Sequence, residues 1–310
     1  MNPPSRKLIP DELTIVVLDT CTVRELAYAD AIPGWVSTFA DMAKNGYSFS
    51  LADGALTELL AQYIRASIDE TKLAVIVGAI ETFLNPDLPV LLGKKDVMGM
   101  IGESDDPAWS PDETAAYSKA GWALLKSPSN LTKEQRMDIV AALQDERHAW
   151  IKAFAIFDAA HAAWLQSEPD GERKHPLKQH KHPALDVALK RLASFGRTQP
   201  PTLAERSDLQ MRYTWRQWVR TRQDKHAYDP TNENNENDGI DFDLYRYLML
   251  PALVVSEDKG FHSRIADIKS PQRGWFWRAQ TLADAWTRGE RPRPVWAADA
   301  RDRSAVQPAG

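Results

Sequence analysis

The sequence predicts an α/β fold, in which a doubly wound, mostly parallel sheet carries a large all-helical insertion. Two observations predict this architecture. Short apolar, β-branched runs alternate with stretches of helical periodicity towards both ends of the chain, which is typical of β-α-β units. Between them, at 107–229, strand signals are nearly absent and helical periodicity dominates.

The N-terminal part alternates three predicted strands with helices. The run TIVVL at 14–18 is apolar and β-branched, as expected of a buried parallel strand, and it ends immediately before Asp19. The elements that follow are a helix after Thr22, a helix at 34–44, a strand at 47–52, helices at 54–68 and about 71–84, and a strand at 88–92.

The remaining elements form the helical block and the return to the sheet. The block has predicted helices at 112–126, at 132–166 as one helix or two, at 183–195 and at 203–225. After an Asn-rich loop at 232–238 come a helix at 240–249, strands at 252–256 and 274–278, and a helix at 280–288. We therefore divide the chain into core (1–106), insertion (107–231), core (232–296) and a disordered tail (297–310).

The composition is that of a globular protein and excludes several kinds of site and segment. Of the 310 residues, 43% are hydrophobic and 26% charged, which is ordinary for a globular chain. No apolar run is long enough to span a bilayer, and the first residues lack the apolar stretch of a signal peptide. The single cysteine, Cys21, excludes an intramolecular disulfide and a cysteine-based metal site. We expect a cytoplasmic protein without a membrane partner.

A basic segment lies inside this acidic protein. The net charge is −5, yet residues 170–226 contain 13 Lys and Arg against 6 Asp and Glu. Such a segment indicates a face for a polyanion, and an ordinary solvated helical surface explains it equally well.

Four acids occupy positions that this fold would bring together. In open parallel sheets the functional crevice lies at the carboxyl ends of the strands. Asp19 closes the first strand, and Asp258 follows the strand that ends at Ser256. Glu58 lies one turn into the helix after the second strand, and Asp241 starts the helix that leads into the fourth. We therefore expect the four carboxylates to converge.

Converging carboxylates repel one another unless a cation lies between them. Their hard oxygen atoms suit Mg²⁺ or Mn²⁺, which can activate water and stabilise both oxygens of a phosphodiester displacement. Each acid also has a plain structural explanation. Asp19, Asp241 and Asp258 could cap helices or turns, and Glu58 could be a solvated helix residue.

Four segments of the sequence carry a family resemblance. They are VLDTC at 17–21, LTEL at 56–59, NDGID at 237–241 and VSEDKGF at 255–261. In these motifs the chain resembles PIN-domain nucleases, whose pattern is Asp-Thr-Asn/Ser/Cys, a helical Glu, a helix-start Asp, and Thr/Ser-x-Asp before an aromatic residue. The resemblance covers about 14–92 and 238–286, and it leaves out the helical block.

The resemblance implies a fold and an activity. It implies a PIN-like core and a nuclease that depends on Mg²⁺ or Mn²⁺, with nucleic acid, chiefly RNA, as its partner. Asp19, Asp241 and Asp258 would be metal ligands, with Glu58 as a ligand or as the residue that orients water. A role as a toxin or phage-defence effector, with a protein regulator or a homo-oligomeric partner, is implied by the same analogy.

Two acids compete with these assignments. Asp243 is the alternative to Asp241 for the third acid, and Glu257 is the alternative to Asp258 for the fourth. We favour Asp241 and Asp258. Ser256 replaces the Thr more common in the family, which keeps the hydroxyl.

The helix at 203–225 interleaves arginines with aromatic residues. Arg212, Arg216 and Arg220 recur every four residues and form one stripe, which suits the tracking of phosphates. Trp215 and Trp218 are predicted to belong to the core, since aromatic residues at helical spacing usually pack. The histidine-containing and lysine-containing stretch at 174–182 is predicted to be a mobile basic loop.

Two other functions compete with a nuclease. A PIN-like fold can serve as a catalytically silent binding scaffold. A strand that ends in Asp is also similar to haloacid-dehalogenase-like phosphatases, in which a second acid follows two residues later. Cys21 holds that position here and makes the phosphatase the weaker alternative.

Overall fold

The computed structural model of the chain describes residues 8–92, 97, 101, 110–195, 201–223, 228–232, 235 and 238–296. The predicted tail at 297–310 and the first boundary of the insertion, at 106–107, lie outside these residues, as does part of the Asn-rich loop. Within the described part of the chain, no helix is both long enough and apolar enough to cross a membrane.

Five parallel strands form one sheet, as the α/β prediction requires. The strands are β1 Thr14–Leu18, β2 Tyr47–Ala52, β3 Val90–Leu91, β4 Leu253–Val255 and β5 Phe276–Trp277, in the spatial order β3-β2-β1-β4-β5. Leu18 of the central strand β1 lies opposite Leu51 of β2 on one side and Val255 of β4 on the other. Strands β2 and β3 therefore extend the sheet on one side of β1, and β4 and β5 extend it on the other side. The direction in which successive strands are added reverses between β1 and β4.

Burial explains the apolar character of the central strand. Val16, Val17 and Leu18 are completely buried, because helices cover both faces of the sheet. Alternation of polar and apolar residues is not required in such a strand, which is why β1 is a continuous apolar run.

The described residues form fourteen α-helices. Eight of them lie between β3 and β4, and the last of these eight leads directly into β4. In chain order they are α1 Thr20–Arg24, α2 Gly34–Lys44, α3 Asp53–Ile64, α4 Glu70–Ile80, α5 Pro111–Lys126, α6 Lys133–Ala153, α7 Ala155–Ser167, α8 Gly171–Lys174, α9 Pro183–Ala193, α10 Leu203–Arg206, α11 Asp208–Gln223, α12 Asp238–Tyr247, α13 Lys259–Ile265 and α14 Ala279–Thr287. Helices α5–α11 form the predicted helical insertion. The Ala-rich stretch is two helices, α6 and α7, which meet at Phe154.

The insertion shares the hydrophobic core of the sheet domain. Helix α6 packs against α3 and α12, and its Trp150 is fully buried. The ring of Trp150 is 4.9 Å from that of Phe242 in α12 and 5.9 Å from that of Tyr213 in α11. Aromatic pairs at these distances add to the stability gained from burial. The insertion is therefore packed into the core beside α12, which carries Asp241.

Candidate functional site

The carboxyl ends of β1 and β4 meet at the point where the strand order reverses. The backbone N–H of Asp19 donates to the carbonyl of Val255 at 3.0 Å, and the hydroxyl of Thr22 donates to the same carbonyl at 3.0 Å. These bonds hold the start of α1 over the end of β4. Ligand crevices in open parallel sheets lie at this kind of switch point.

Asp19 occupies the centre of this crevice. Its Oδ1 accepts from the backbone N–H of Thr20 at 2.7 Å, so it is the N-cap of α1. Its Oδ2 accepts from the hydroxyl of Ser256 and from the thiol of Cys21, both at 2.8 Å. Burial raises the pKa of Asp19; these hydrogen bonds lower it, and the charge of Asp258 raises it.

Glu58 reaches the crevice from α3. Burial raises its pKa, the nearby hydroxyl of Thr20 lowers it, and the charge of Asp19 raises it. Gln62, one turn further along α3, donates to Oε1 of Glu58 at 3.2 Å. Although the Thr20 hydroxyl lies near enough to act on Glu58, it is buried and makes no hydrogen bond of standard geometry within the described structure. A polar atom of this kind beside two acids suits a site that takes a further polar or cationic group.

Asp241 lies in the first turn of α12. Burial raises its pKa well above the ordinary value, and the charges of Asp19 and Asp258 raise it further. The guanidinium of Arg264 opposes this shift, since its Nη1 lies 3.6 Å from Oδ2 of Asp241.

Asp258 lies three residues after the end of β4, immediately before α13. Its Oδ1 accepts from the backbone N–H groups of Gly260 at 2.6 Å and Phe261 at 3.1 Å, so it is the N-cap of α13. Asp258 is therefore a helix cap, as its plain structural explanation requires. This role uses Oδ1 and does not exclude a metal-ligand role for Oδ2. Helix α13 is absent from the elements predicted above, although Asp258 at its start and Arg264 in its last turn are the signals of a short helix.

The four predicted acids lie within electrostatic range of one another. The charge of Asp19 raises the pKa of both Glu58 and Asp241, and the charge of Asp258 raises the pKa of both Asp19 and Asp241. We call these four side chains the acid cluster. Asp19 is its centre.

The acid cluster suits a hard divalent cation by chemistry. Its donors are carboxylate oxygens, and its buried charges repel one another unless protonated or neutralised. Among the described residues, however, no group of three or more His, Cys, Asp or Glu side chains is placed to hold a metal ion. Side-chain rotation in the cluster would therefore have to accompany binding of Mg²⁺ or Mn²⁺.

The two competing acids face other groups. Asp243 is 3% exposed and lies 3.0 Å from Nη1 of Arg246, and its charge acts on Tyr247. Glu257 accepts from the backbone N–H of Ala279, the first residue of α14, at 2.7 Å. The choice of Asp241 and Asp258 for the cluster is thus consistent with the geometry.

The arginine stripe differs from its expected arrangement. Arg216 is only 8% exposed, donates to the carbonyl of Arg264 at 2.5 Å and forms an ion pair with Asp267 at 2.6 Å. The ion pair joins α11 to the segment after α13. Arg216 is therefore a buried structural residue and is not available to contact phosphates at the surface.

The other two arginines are more accessible but are also engaged. Arg212 forms an ion pair with Asp208 at 2.8 Å, and Arg220 donates to Gln217 at 2.8 Å. Phosphate contact by Arg212 and Arg220 remains a prediction. Trp215 and Trp218 are buried, which confirms that they belong to the core.

None of residues 174–181 in the predicted basic loop is buried, whereas His182 at its end is. His182 is 2% exposed, and its ring centroid lies 4.6 Å from that of Trp164 and 5.3 Å from that of Trp215. Its Nδ1 accepts from the backbone N–H of Ala184 at 3.1 Å and caps α9. His182 is therefore a packing and capping residue.

Comparison of the chain with protein-family models, with curated proteins and with solved structures finds no match.

Proposed function

We propose that the chain is a PIN-like nuclease that depends on Mg²⁺ or Mn²⁺ and hydrolyses phosphodiester bonds, with RNA as its substrate class. One observation carries the proposal. Asp19 lies at the switch point between β1 and β4, where its charge acts on Glu58 and Asp241 and the charge of Asp258 acts on Asp19 and Asp241. Perturbed carboxyl groups gathered in such a crevice are a common mark of a functional site.

Each acid has a distinct part in this proposal. The divalent cation would supply activation of water and stabilisation of the developing negative charge. Asp19, Asp241 and Asp258 would hold it, and Ser256 and Cys21 would orient Asp19 through their bonds to Oδ2.

Glu58 is held less tightly than Asp19. Gln62 donates to its Oε1 at 3.2 Å, whereas Asp19 accepts three hydrogen bonds of 2.7–2.8 Å. Since burial raises the pKa of Glu58, this carboxyl can hold a proton at a higher pH than an exposed glutamate. We assign to it the orientation of water and the acceptance of a proton from it.

The cellular part of the proposal rests on family resemblance alone. A cytoplasmic toxin or phage-defence effector, checked by a protein regulator, would fit such an activity. The acid cluster is compatible with this role but does not distinguish it from RNA processing.

The test is cleavage by wild type and Asp19→Asn, measured on mixed RNA and single-stranded DNA with millimolar Mn²⁺ or Mg²⁺. Asp19→Asn removes an anionic ligand and keeps an N-cap, so we expect more than about 100-fold loss of activity with the fold retained. Asp69→Asn is the control, because the side chain of Asp69 is also an N-cap, accepting from the backbone N–H of Lys72 in α4. Full activity in Asp19→Asn would remove this site from the proposal.

A catalytically silent PIN-like scaffold is the second candidate. It is favoured by the ion pair between Arg264 and Asp241, which already supplies a cation to the cluster, and by the absence of a ready metal geometry in the described residues. A wild-type melting temperature that does not respond to Mn²⁺ would favour this scaffold over the nuclease. The phosphatase alternative is not favoured, because the thiol of Cys21 is bonded to Asp19 where that family has a second acid.

A further inference from the structure

Arg264, in the last turn of α13, lies beside the acid cluster. Nη1 of Arg264 donates to Oδ1 of Asp238 at 2.9 Å and lies 3.6 Å from Oδ2 of Asp241. The side chain of Asp238 is 6% exposed, whereas that of Arg264 is 37% exposed. The guanidinium thus bridges one acid outside the cluster and one acid within it.

The helical insertion holds this arrangement in place. The indole N–H of Trp150 in α6 donates to the hydroxyl of Tyr228 at 2.6 Å, and that hydroxyl donates to Oδ2 of Asp238 at 2.6 Å. Asp238 therefore accepts from the insertion through one oxygen and from Arg264 through the other. A chain of hydrogen bonds connects the insertion to the cation beside Asp241.

The start of α13 leaves little room around the guanidinium. A Cβ placed on Gly260 would lie 3.1 Å from Oδ1 of Asp258 and 3.6 Å from Nη2 of Arg264. Arg264 therefore lies next to the turn that Asp258 caps, as well as next to Asp241. The charge of Arg264 therefore acts on Asp241 and lies beside the turn that holds Asp258, a second acid that we assign as a metal ligand.

We propose that Arg264 is an internal counter-cation of the acid cluster, which competes with a divalent metal ion for Asp241 and is held in place by the helical insertion. The inference rests on the proposed function, since it concerns the affinity of the same site for Mn²⁺ or Mg²⁺. A guanidinium near Asp241 neutralises part of the cluster in the metal-free protein. Metal binding must overcome both that ion pair and the repulsion between two cations.

The test is a Mn²⁺ titration followed by the melting temperature, for wild type, Arg264→Gln, Arg264→Lys and Arg246→Gln. Loss of the competing charge in Arg264→Gln should lower the Mn²⁺ concentration at half-effect by about tenfold or more. Arg264→Lys keeps the charge and should stay within about threefold of wild type. Arg246→Gln is the matched control, because Arg246 pairs with Asp243 instead of the cluster, and its midpoint should not change.

A second measurement uses the wild type alone and does not depend on the folding of a variant. The side-chain Nε–Hε resonance of Arg264, identified by its loss in Arg264→Lys, should move during a titration with diamagnetic Mg²⁺. Its midpoint should match that of the thermal shift. The corresponding resonance of Arg246 should stay in place.

The outcomes separate the two proposals. A wild type whose melting temperature ignores Mn²⁺ would remove the metal site and, with it, the role of Arg264. A wild type that responds, together with an unchanged midpoint in Arg264→Gln or an unmoved Arg264 resonance, would overturn the role of Arg264 alone.

Discussion

The hydroxyl of Ser256 donates a 2.8 Å hydrogen bond to Oδ2 of Asp19, joining residues 237 positions apart in the chain. Both residues are buried, and the thiol of Cys21 donates to the same oxygen at 2.8 Å. Two donors on one carboxylate oxygen restrict the rotation of Asp19. The bond also ties the end of β1 to the residue that follows β4.

Ser256→Ala should weaken the site more than the fold. The variant loses the hydrogen bond to Asp19 and a longer one, of 3.3 Å, from the backbone N–H of Asp258, and each loss lowers the free energy of unfolding by about 1 kcal/mol. Loss of an orienting partner of a metal ligand lowers metal affinity or activity by roughly 10- to 100-fold. Ser256→Thr keeps the hydroxyl and serves as the control. Calorimetric Mn²⁺ titration and urea unfolding of both variants check this, and equal Mn²⁺ affinities would contradict it.

Asp241→Asn and Asp243→Asn should have opposite signatures. Asp241 interacts with Asp19 and Asp258, so its neutralisation should abolish most of the Mn²⁺ effect on the melting temperature. Asp243 is paired with Arg246, so Asp243→Asn should destabilise the protein by about 1–3 kcal/mol and leave the Mn²⁺ effect intact. Thermal melts with and without Mn²⁺ measure both; the reverse pattern would make Asp243 the third acid.

The stability of the metal-free protein should carry an unusual pH dependence from its acid cluster. Burial raises the folded-state pKa values of Asp19, Glu58 and Asp241, so the folded protein binds protons more tightly at these groups than the unfolded chain does. Their contribution is fully present below the ordinary carboxyl pKa of about 4 and is lost as the pH rises through the raised folded-state values.

Comparison of wild type with Asp241→Asn isolates this effect from the other titrating groups. The melting temperature of the variant minus that of wild type should increase as the pH is raised from about 4.5 to 8, because only the wild type acquires a charge at residue 241. Saturating Mn²⁺ should remove the increase, since the metal neutralises that charge. A difference that is constant with pH would show that Asp241 does not titrate in this range.

The three arginines of α11 should separate into two classes. Arg216→Ala should lower stability by about 1–3 kcal/mol, because it removes buried hydrogen bonds from a charged group. Arg212→Ala and Arg220→Ala should each reduce the slope of log affinity against log salt by about one unit if they contact phosphates. Urea unfolding and RNA binding at several salt concentrations test this. Unchanged slopes in both variants would mean that the stripe has no phosphate contacts.

Much of the sheet and its site could be predicted because the signals are local. The run before Asp19 is β-branched and apolar throughout, so β1 and the residue at its end follow from composition. Helix α2 and strand β2 have the predicted bounds for the same reason. The meeting of Asp19 with Asp258 required only the rule that parallel strands share a carboxyl edge.

The remaining features depend on packing that no local signal reports. Asp241 and Asp243 are two positions apart on a helix, so they face nearly opposite sides. The rotation of α12 decides between them, and burial of Phe242 and Tyr245 against the insertion sets that rotation. Arg264 could not be predicted either, because its role arises from the position of the seven-residue helix α13 relative to α12.

The strand order has a consequence for the order of synthesis. Asp19 and Glu58 emerge from the ribosome early, but Asp241, Ser256 and Asp258 emerge only after the whole insertion has been translated. At 5–20 residues per second, the gap between the two ends of the Asp19–Ser256 bond is on the order of 10–50 seconds. During this delay one edge of β1 has no partner, so the nascent chain is exposed to faulty strand pairing. The crevice between β1 and β4 cannot form earlier, and any activity that it supports begins only near the end of synthesis.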